Sequence, residues 1–296
     1  MNTSDIHNTA EWNNLPIGVF DSGVGGLTVV REIFRNLPDE RIIYYGDTAR
    51  VPYGNKSPET IIRYSGQIVR FLTSCKVKAI VIACNTASAL ALESVRHNID
   101  IPVIGVVEPG ARAAVRETIS GRIGIIGTTG TINSGIYEKY IKRLLPEAKV
   151  FGKACPLFVP LVEEGMTDDP VTVQMIHRYL DDMISEKQID TLILGCTHYP
   201  LLRSVIARET GGTYAGGSSN AKKTASSHSG IKLVNPAYTA AIELKELLET
   251  NSLSADHSCE HKAHRFFVSD SPESFRSFAS SILEMNIPDV ELKILE

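Results

Sequence analysis

The strongest constraint on this chain is a rhythm: short β-branched and apolar runs, each followed by a stretch with helical spacing, along most of its 296 residues. The runs Ile17–Phe20, Arg41–Tyr45, Ala79–Ala83, Val103–Val107, Arg122–Ile126, Thr191–Leu194 and Lys232–Val234 read as strands, followed by Arg265–Val268 and the less regular Val290–Ile294. Short runs of this kind alternating with helical patterns suggest βα units and a largely parallel sheet. Between them, Pro58–Leu72 carries Ser57 as N-cap and Pro58 at its first position. Tyr137–Leu145 and Val171–Ser185 have apolar residues at helical intervals. The rhythm predicts an α/β protein with mainly parallel sheets, and the length suits two domains.

Composition narrows the function. A net charge of −4 gives no electrostatic reason to expect nucleic acid or an anionic membrane as partner. No apolar run approaches the roughly 18 residues of a membrane helix. The start, MNTSDIHNTAEWNNLP, lacks the basic and apolar regions of a signal peptide, so a cytoplasmic protein is expected. Five widely spaced cysteines argue against a disulfide framework and leave each thiol to be explained alone. Cys75, at a helix end, and Cys155 read as small buried hydrophobes.

Ligands of open α/β sheets lie beyond the carboxyl ends of the strands. Those ends here open onto Asp21-Ser22-Gly23-Val24-Gly25-Gly26, Cys84-Asn85-Thr86, Gly127-Thr128-Thr129-Gly130-Thr131 and Gly195-Cys196-Thr197-His198. The first loop half-matches a dinucleotide fingerprint, but Thr28 replaces its last glycine and Asp21 would face a pyrophosphate. Gly54-Asn55-Lys56-Ser57 lacks the Gly-Lys pair of a phosphate loop. His257, Cys259, His261 and His264 half-match a metal site, yet they sit in a polar stretch that reads as a connector; no metal is expected. Gly211–Gly230, rich in Gly, Ser and Lys, reads as a surface loop and a candidate crossing between domains.

Two segments match each other: KAIVIACNT, ending on Cys84-Asn85-Thr86, and DTLILGCTH, ending on Cys196-Thr197-His198. Each is a strand, a small residue, a cysteine and then polar groups. Two readings stand: buried thiols at strand ends, or acid/base groups in a polar site. Asn, Thr and His beside a thiol suit the second. Paired thiols on opposed half-sites suit a reaction whose substrate and product are mirror images, one thiolate removing a Cα proton and the other thiol delivering one to the opposite face. Thiols need basic or hydrogen-bonding neighbours for this work near neutrality. Asp21 and His198 are placed to move those protons.

With these residues in view, the chain resembles the glutamate racemases of the cofactor-independent aspartate/glutamate racemase superfamily. The resemblance runs from about Ile17 to Glu284 through IGVFDSGVGGLTV, YYGDTARVPYG, ACNTAS, IGVVEPGARAA, IGTTGTINS, LVEEG and LGCTHYPLL. It implies interconversion of L- and D-glutamate without a cofactor, supplying D-glutamate for peptidoglycan, by a protein that is commonly a homodimer. It implies Cys84 and Cys196 as the acid/base pair, with Asp21, His198 and Glu163 as helpers; Glu164, beside Glu163, competes for that place. Substrate contacts are expected at Asp21, Ser22, Tyr53, Gly54, Asn85, Thr86, Thr197 and His198, with Thr128 and Thr131 added from their strand end. Two other readings remain beside it, an aspartate racemase of the same superfamily and a non-catalytic binder of small dicarboxylates. The fold expected is two Rossmann-like βα domains with mainly parallel sheets, pseudo-two-fold related, the active site in the cleft between them. Residues 1–108 with 212–296 would form the first domain and 109–211 the second.

Overall fold

Each run read as a strand forms one in the computed structural model, which describes residues 12–214, 230–255, 263–287 and 289–296. The first unit opens with β1 (Ile17–Asp21), β2 (Ile42–Gly46), β3 (Ala79–Ile82) and β4 (Val103–Gly105). The second holds β5 (Arg122–Gly127), β6 (Lys149–Ala154), β7 (Thr191–Gly195), β8 (Thr213–Tyr214) and β9 (Lys232–Val234). The chain then returns to the first with β10 (Arg265–Val268) and β11 (Val290–Leu292). The helices used below are α1 (Leu27–Asn36), α2 (Pro58–Ser74), α3 (Asn85–Arg96), α4 (Val107–Glu117), α5 (Thr129–Asn133), α6 (Ile136–Leu144), α7 (Phe158–Glu163), α8 (Pro170–Ser185), α9 (Arg203–Thr210), α10 (Pro236–Thr250) and α11 (Pro272–Leu283).

The first sheet has the order β11-β10-β2-β1-β3-β4 and the second β6-β5-β7-β9-β8. All their pairings are parallel, for example Ile17 with Ile42 and Ala79, and Ile123 with Val150 and Thr191. Every residue of β1, β2, β3 and β7 is buried, which is why these strands read as unbroken apolar runs. One core of the first unit packs Phe20, Ile43, Tyr45, Ile80 and Ile82 against Ile61, Ile68 and Leu72 of α2 and Ala87 and Ala91 of α3. Ser57 caps α2 as expected, its hydroxyl accepting from the Thr60 N–H at 3.4 Å. Cys75 ends that helix half-buried at the margin of the core, less enclosed than the sequence suggested.

Two strands had not been expected. β6 is an edge strand of sequence KVFGKA with no fully buried residue, and β8 has two residues. The compact units are Met1–Val106 with Ala240–Glu296, and Val107–Thr239. The first crossing thus falls within two residues of the expected 108/109. The second does not fall at 211/212, because 213–214 and 232–234 still pair in the second sheet. It falls inside α10. Most of Gly211–Gly230, and His257, Cys259 and His261, lie outside the described residues.

Candidate active site

Cys84 follows β3 and occupies the N-cap position of α3, in extended conformation, with its carbonyl accepting the Ser88 N–H at 2.8 Å. The thiol is 5% exposed and lies 3.7 Å from the Ser22 hydroxyl. A helix N-terminus favours negative charge, so the position suits a thiolate. Asn85 and Thr86, in the first turn, are buried beside it.

Ser22 belongs to the loop after β1, and that loop is tightly held. The fully buried Asp21 carboxylate accepts the Gly23 N–H at 3.0 Å, while the Tyr44 hydroxyl donates to the Gly23 carbonyl at 2.7 Å. Gly26 is required by close approach: a Cβ there would stand 2.4 Å from Asp21 Cβ and 2.7 Å from Tyr44 Oη.

Tyr53 and Gly54 lie in a buried 3-10 turn. The Tyr53 hydroxyl donates to Asp47, whose carboxylate also receives Arg50 Nε at 2.7 Å and the Ser269 hydroxyl at 2.9 Å. The phenol is therefore committed to Asp47. Its ring belongs to the same apolar cluster as Cys84, and its turn packs on α3. Burial and the Asp47 charge hold the Tyr53 phenol protonated, well above its ordinary range. Neither Asp47 nor Tyr44 was singled out from sequence, though both lie within the YYGDTARVPYG segment.

In the second unit Cys196 follows β7, 6% exposed, with its sulfur 3.8 Å from His198 Nδ1. His198 Nε2 lies 3.0 Å from a Glu163 carboxylate oxygen. The structure thus brings together Cys196, His198 and Glu163 in one line of contacts. It separates Glu163, the last residue of α7, from Glu164, which borders a surface groove lined by Leu157, Leu161, Met166 and Val171. Thr197 is buried next to them. Thr128, after β5, is the N-cap of α5; its hydroxyl accepts the Thr131 N–H at 3.2 Å and lies 3.0 Å from the Thr131 hydroxyl. Two neutral phenols complete the surroundings: burial, then the charge at Cys196, raises Tyr137, and burial, then Asp21 and Cys84, raises Tyr44. Cys155 is a small buried hydrophobe as read, its thiol pushed up by burial.

Among the described residues no group of three or more His, Cys, Asp or Glu is arranged to hold a metal. His264 instead accepts the Ile42 N–H on Nδ1 at 3.2 Å and packs on Phe34. Among the same residues no helix is long and apolar enough to cross a membrane.

Each unit therefore presents a strand-end thiol with its own hydroxyl or imidazole partner, and the fold and these half-sites define a class. The profile of the Asp/Glu/Hydantoin racemase family matches residues 17–217. A glutamate racemase of Geobacter metallireducens is 49% identical over 280 residues, covering 95% of this chain and 97% of that protein. The crystal structure of the RacE1 isoform of Bacillus anthracis glutamate racemase superposes with a TM-score of 0.84 at 41% identity, covering 95% and 98%. A Francisella tularensis glutamate racemase in complex with D-glutamate gives 0.83 at 37%, with the same coverage. The chain belongs to the glutamate racemases of the Asp/Glu/Hydantoin racemase family, as the sequence resemblance implied.

Proposed function

We propose that this chain interconverts L- and D-glutamate without a cofactor, Cys84 and Cys196 acting as its two acid/base groups. The observation that carries the reading is the matched pair of strand-end thiols, each buried and each beside a polar partner, the Ser22 hydroxyl for Cys84 and the His198 imidazole for Cys196. In one direction a thiolate removes the Cα proton, and the electron pair of that C–H bond stays on Cα. The second thiol then gives its proton to the opposite face, so thiol and thiolate exchange places. Asp21 and the His198–Glu163 pair serve to restore the two sulfurs between turnovers.

The substrate carboxylates and ammonium need fixed donors and acceptors in a dry site. Ser22, Asn85, Thr86 and Thr197 offer these, with Thr128 and Thr131 as further hydroxyls. Gly54 contributes backbone, and Tyr53 its ring and backbone, since its hydroxyl is held by Asp47. Glutamate is favoured as substrate by the relatives, one of them bound to D-glutamate. Free thiols fit a cytoplasmic enzyme feeding D-glutamate to the cell wall.

The test is proton NMR in D₂O with D-glutamate, then L-glutamate, and no added pyridoxal phosphate. Loss of the Cα–H signal with growth of the opposite enantiomer is expected, and the opposite enantiomer should not appear in Cys84→Ala or Cys196→Ala. Folded wild-type protein that exchanges neither enantiomer refutes the reading; full turnover in either variant refutes the two-thiol mechanism.

A further inference from the structure

Tyr199 follows His198 directly and is fully buried, with its hydroxyl donating to the Cys155 carbonyl at 2.8 Å. That carbonyl also accepts the Phe158 N–H at 3.2 Å, the contact with which the chain enters α7. The Tyr199 ring meets Phe158 edge-on, centroids 5.3 Å apart, and Phe158 meets Tyr179 of α8 in the same manner at 5.2 Å. The start of α7 is therefore pinned by one hydroxyl and one ring from the residue beside His198.

The far end of α7 carries Glu163. Six residues are too few for a helix to sustain itself, so the place of α7 is set by what it is fastened to. Glu163 has little packing of its own, its side chain being 46% exposed, yet it meets His198 Nε2 at 3.0 Å. The carboxylate itself is half exposed, while Phe158 at the entrance and Leu161 and Val162 just before Glu163 are buried. The fixing residue and the imidazole are neighbours in the chain, so the two partners of the pair are referred to one point.

We infer that Tyr199 is a positioning residue for the Glu163–His198 pair: its hydroxyl, held on the Cys155 carbonyl, sets α7 so that Glu163 reaches the imidazole. This rests on the proposal that His198 exchanges protons with Cys196. Tyr199 touches no reacting atom and acts only through α7. Its role is distinct from that of a core tyrosine, whose loss would lower stability without regard to Glu163.

Tyr199→Phe tests this, because it keeps the ring on Phe158 and removes one oxygen. Racemisation is measured in both directions for wild type, Tyr199→Phe, Glu163→Gln and the double variant, with a thermal melt of each. Tyr199→Phe should lower kcat about tenfold with KM changed less than about twofold, the scale on which a displaced group slows a proton transfer. In the Glu163→Gln background the same substitution should change kcat no further, since what it positions is already gone. Should Tyr199→Phe fold poorly, Phe158→Leu, which loosens the same entrance, should show the same dependence on Glu163. Effects that multiply in the double variant, or a Tyr199→Phe enzyme with wild-type kcat, would overturn the inference. Absence of racemisation in folded wild type would instead remove the proposed function.

Discussion

Gly26→Ala asks the most of the geometry. The glycine has φ −59° and ψ −15°, which any residue adopts, so backbone strain plays no part. The effect is purely steric: the new methyl would sit 2.4 Å from Asp21 Cβ and 2.7 Å from Tyr44 Oη. An ordinary contact needs about 1 Å more, and neither neighbour yields easily. Asp21 is held through its carboxylate on Gly23, and Tyr44 is fully buried with its ring 5.7 Å from that of Phe275. Overpacking of this kind destabilises by about 1–3 kcal/mol. For units of this size that is a fall in Tm of roughly 2–10 °C. A shift of about 1 Å in the Asp21–Ser22 loop should also slow racemisation by about 100-fold. Gly66→Ala is the control. Inside α2 its Cβ meets only the Arg70 guanidinium at 3.7 Å, so the substitution should stabilise, by up to about 1 kcal/mol, with activity unchanged. Melts followed by circular dichroism and a chiral assay read both. A Gly26→Ala protein with wild-type melting and turnover would refute the close packing described for this loop.

Other outcomes are expected. Cys84→Ser and Cys196→Ser should each abolish racemisation in both directions, while Cα–H exchange in D₂O persists with one enantiomer, a different one for each variant. Lys78 and Glu40 form a buried ion pair at 2.6 Å, so Lys78→Met should lower stability by about 3–5 kcal/mol by urea titration, and Lys78→Met with Glu40→Gln by much less. Native protein treated with a thiol reagent should label Cys75 well before Cys155, which is buried with its thiol pushed up.

The sheets were legible in the sequence because β1, β2, β3 and β7 are buried along their whole length and, apart from Asp21 and Thr191 at strand ends, carry apolar residues and glycine. β6 escaped because an edge strand with every residue partly exposed tolerates lysine at both ends of its run. The second crossing escaped because it lies within the continuous helix α10, where no change of composition marks it. In the site, the residues at the strand ends stood out, since a thiol among Asn, Thr and His has no reason to be in a core. Tyr44, Asp47 and Tyr199 did not. A tyrosine after a strand or within it reads equally as packing, and only the partner of its hydroxyl distinguishes the two. Glu163 and Glu164 are alike in sequence, and the contact with His198 separates them.

The return of the chain to its first sheet has a consequence for synthesis. The second unit, Val107–Thr239, is one uninterrupted stretch and can fold as soon as it leaves the ribosome. The first sheet cannot. Until Arg265–Val268 emerge to pair with Ile43–Gly46, the flank of β2 is an open row of backbone donors and acceptors on a wholly buried strand. The part of this chain made first is completed last, and its period of greatest exposure to aggregation is the time taken to translate the unit between.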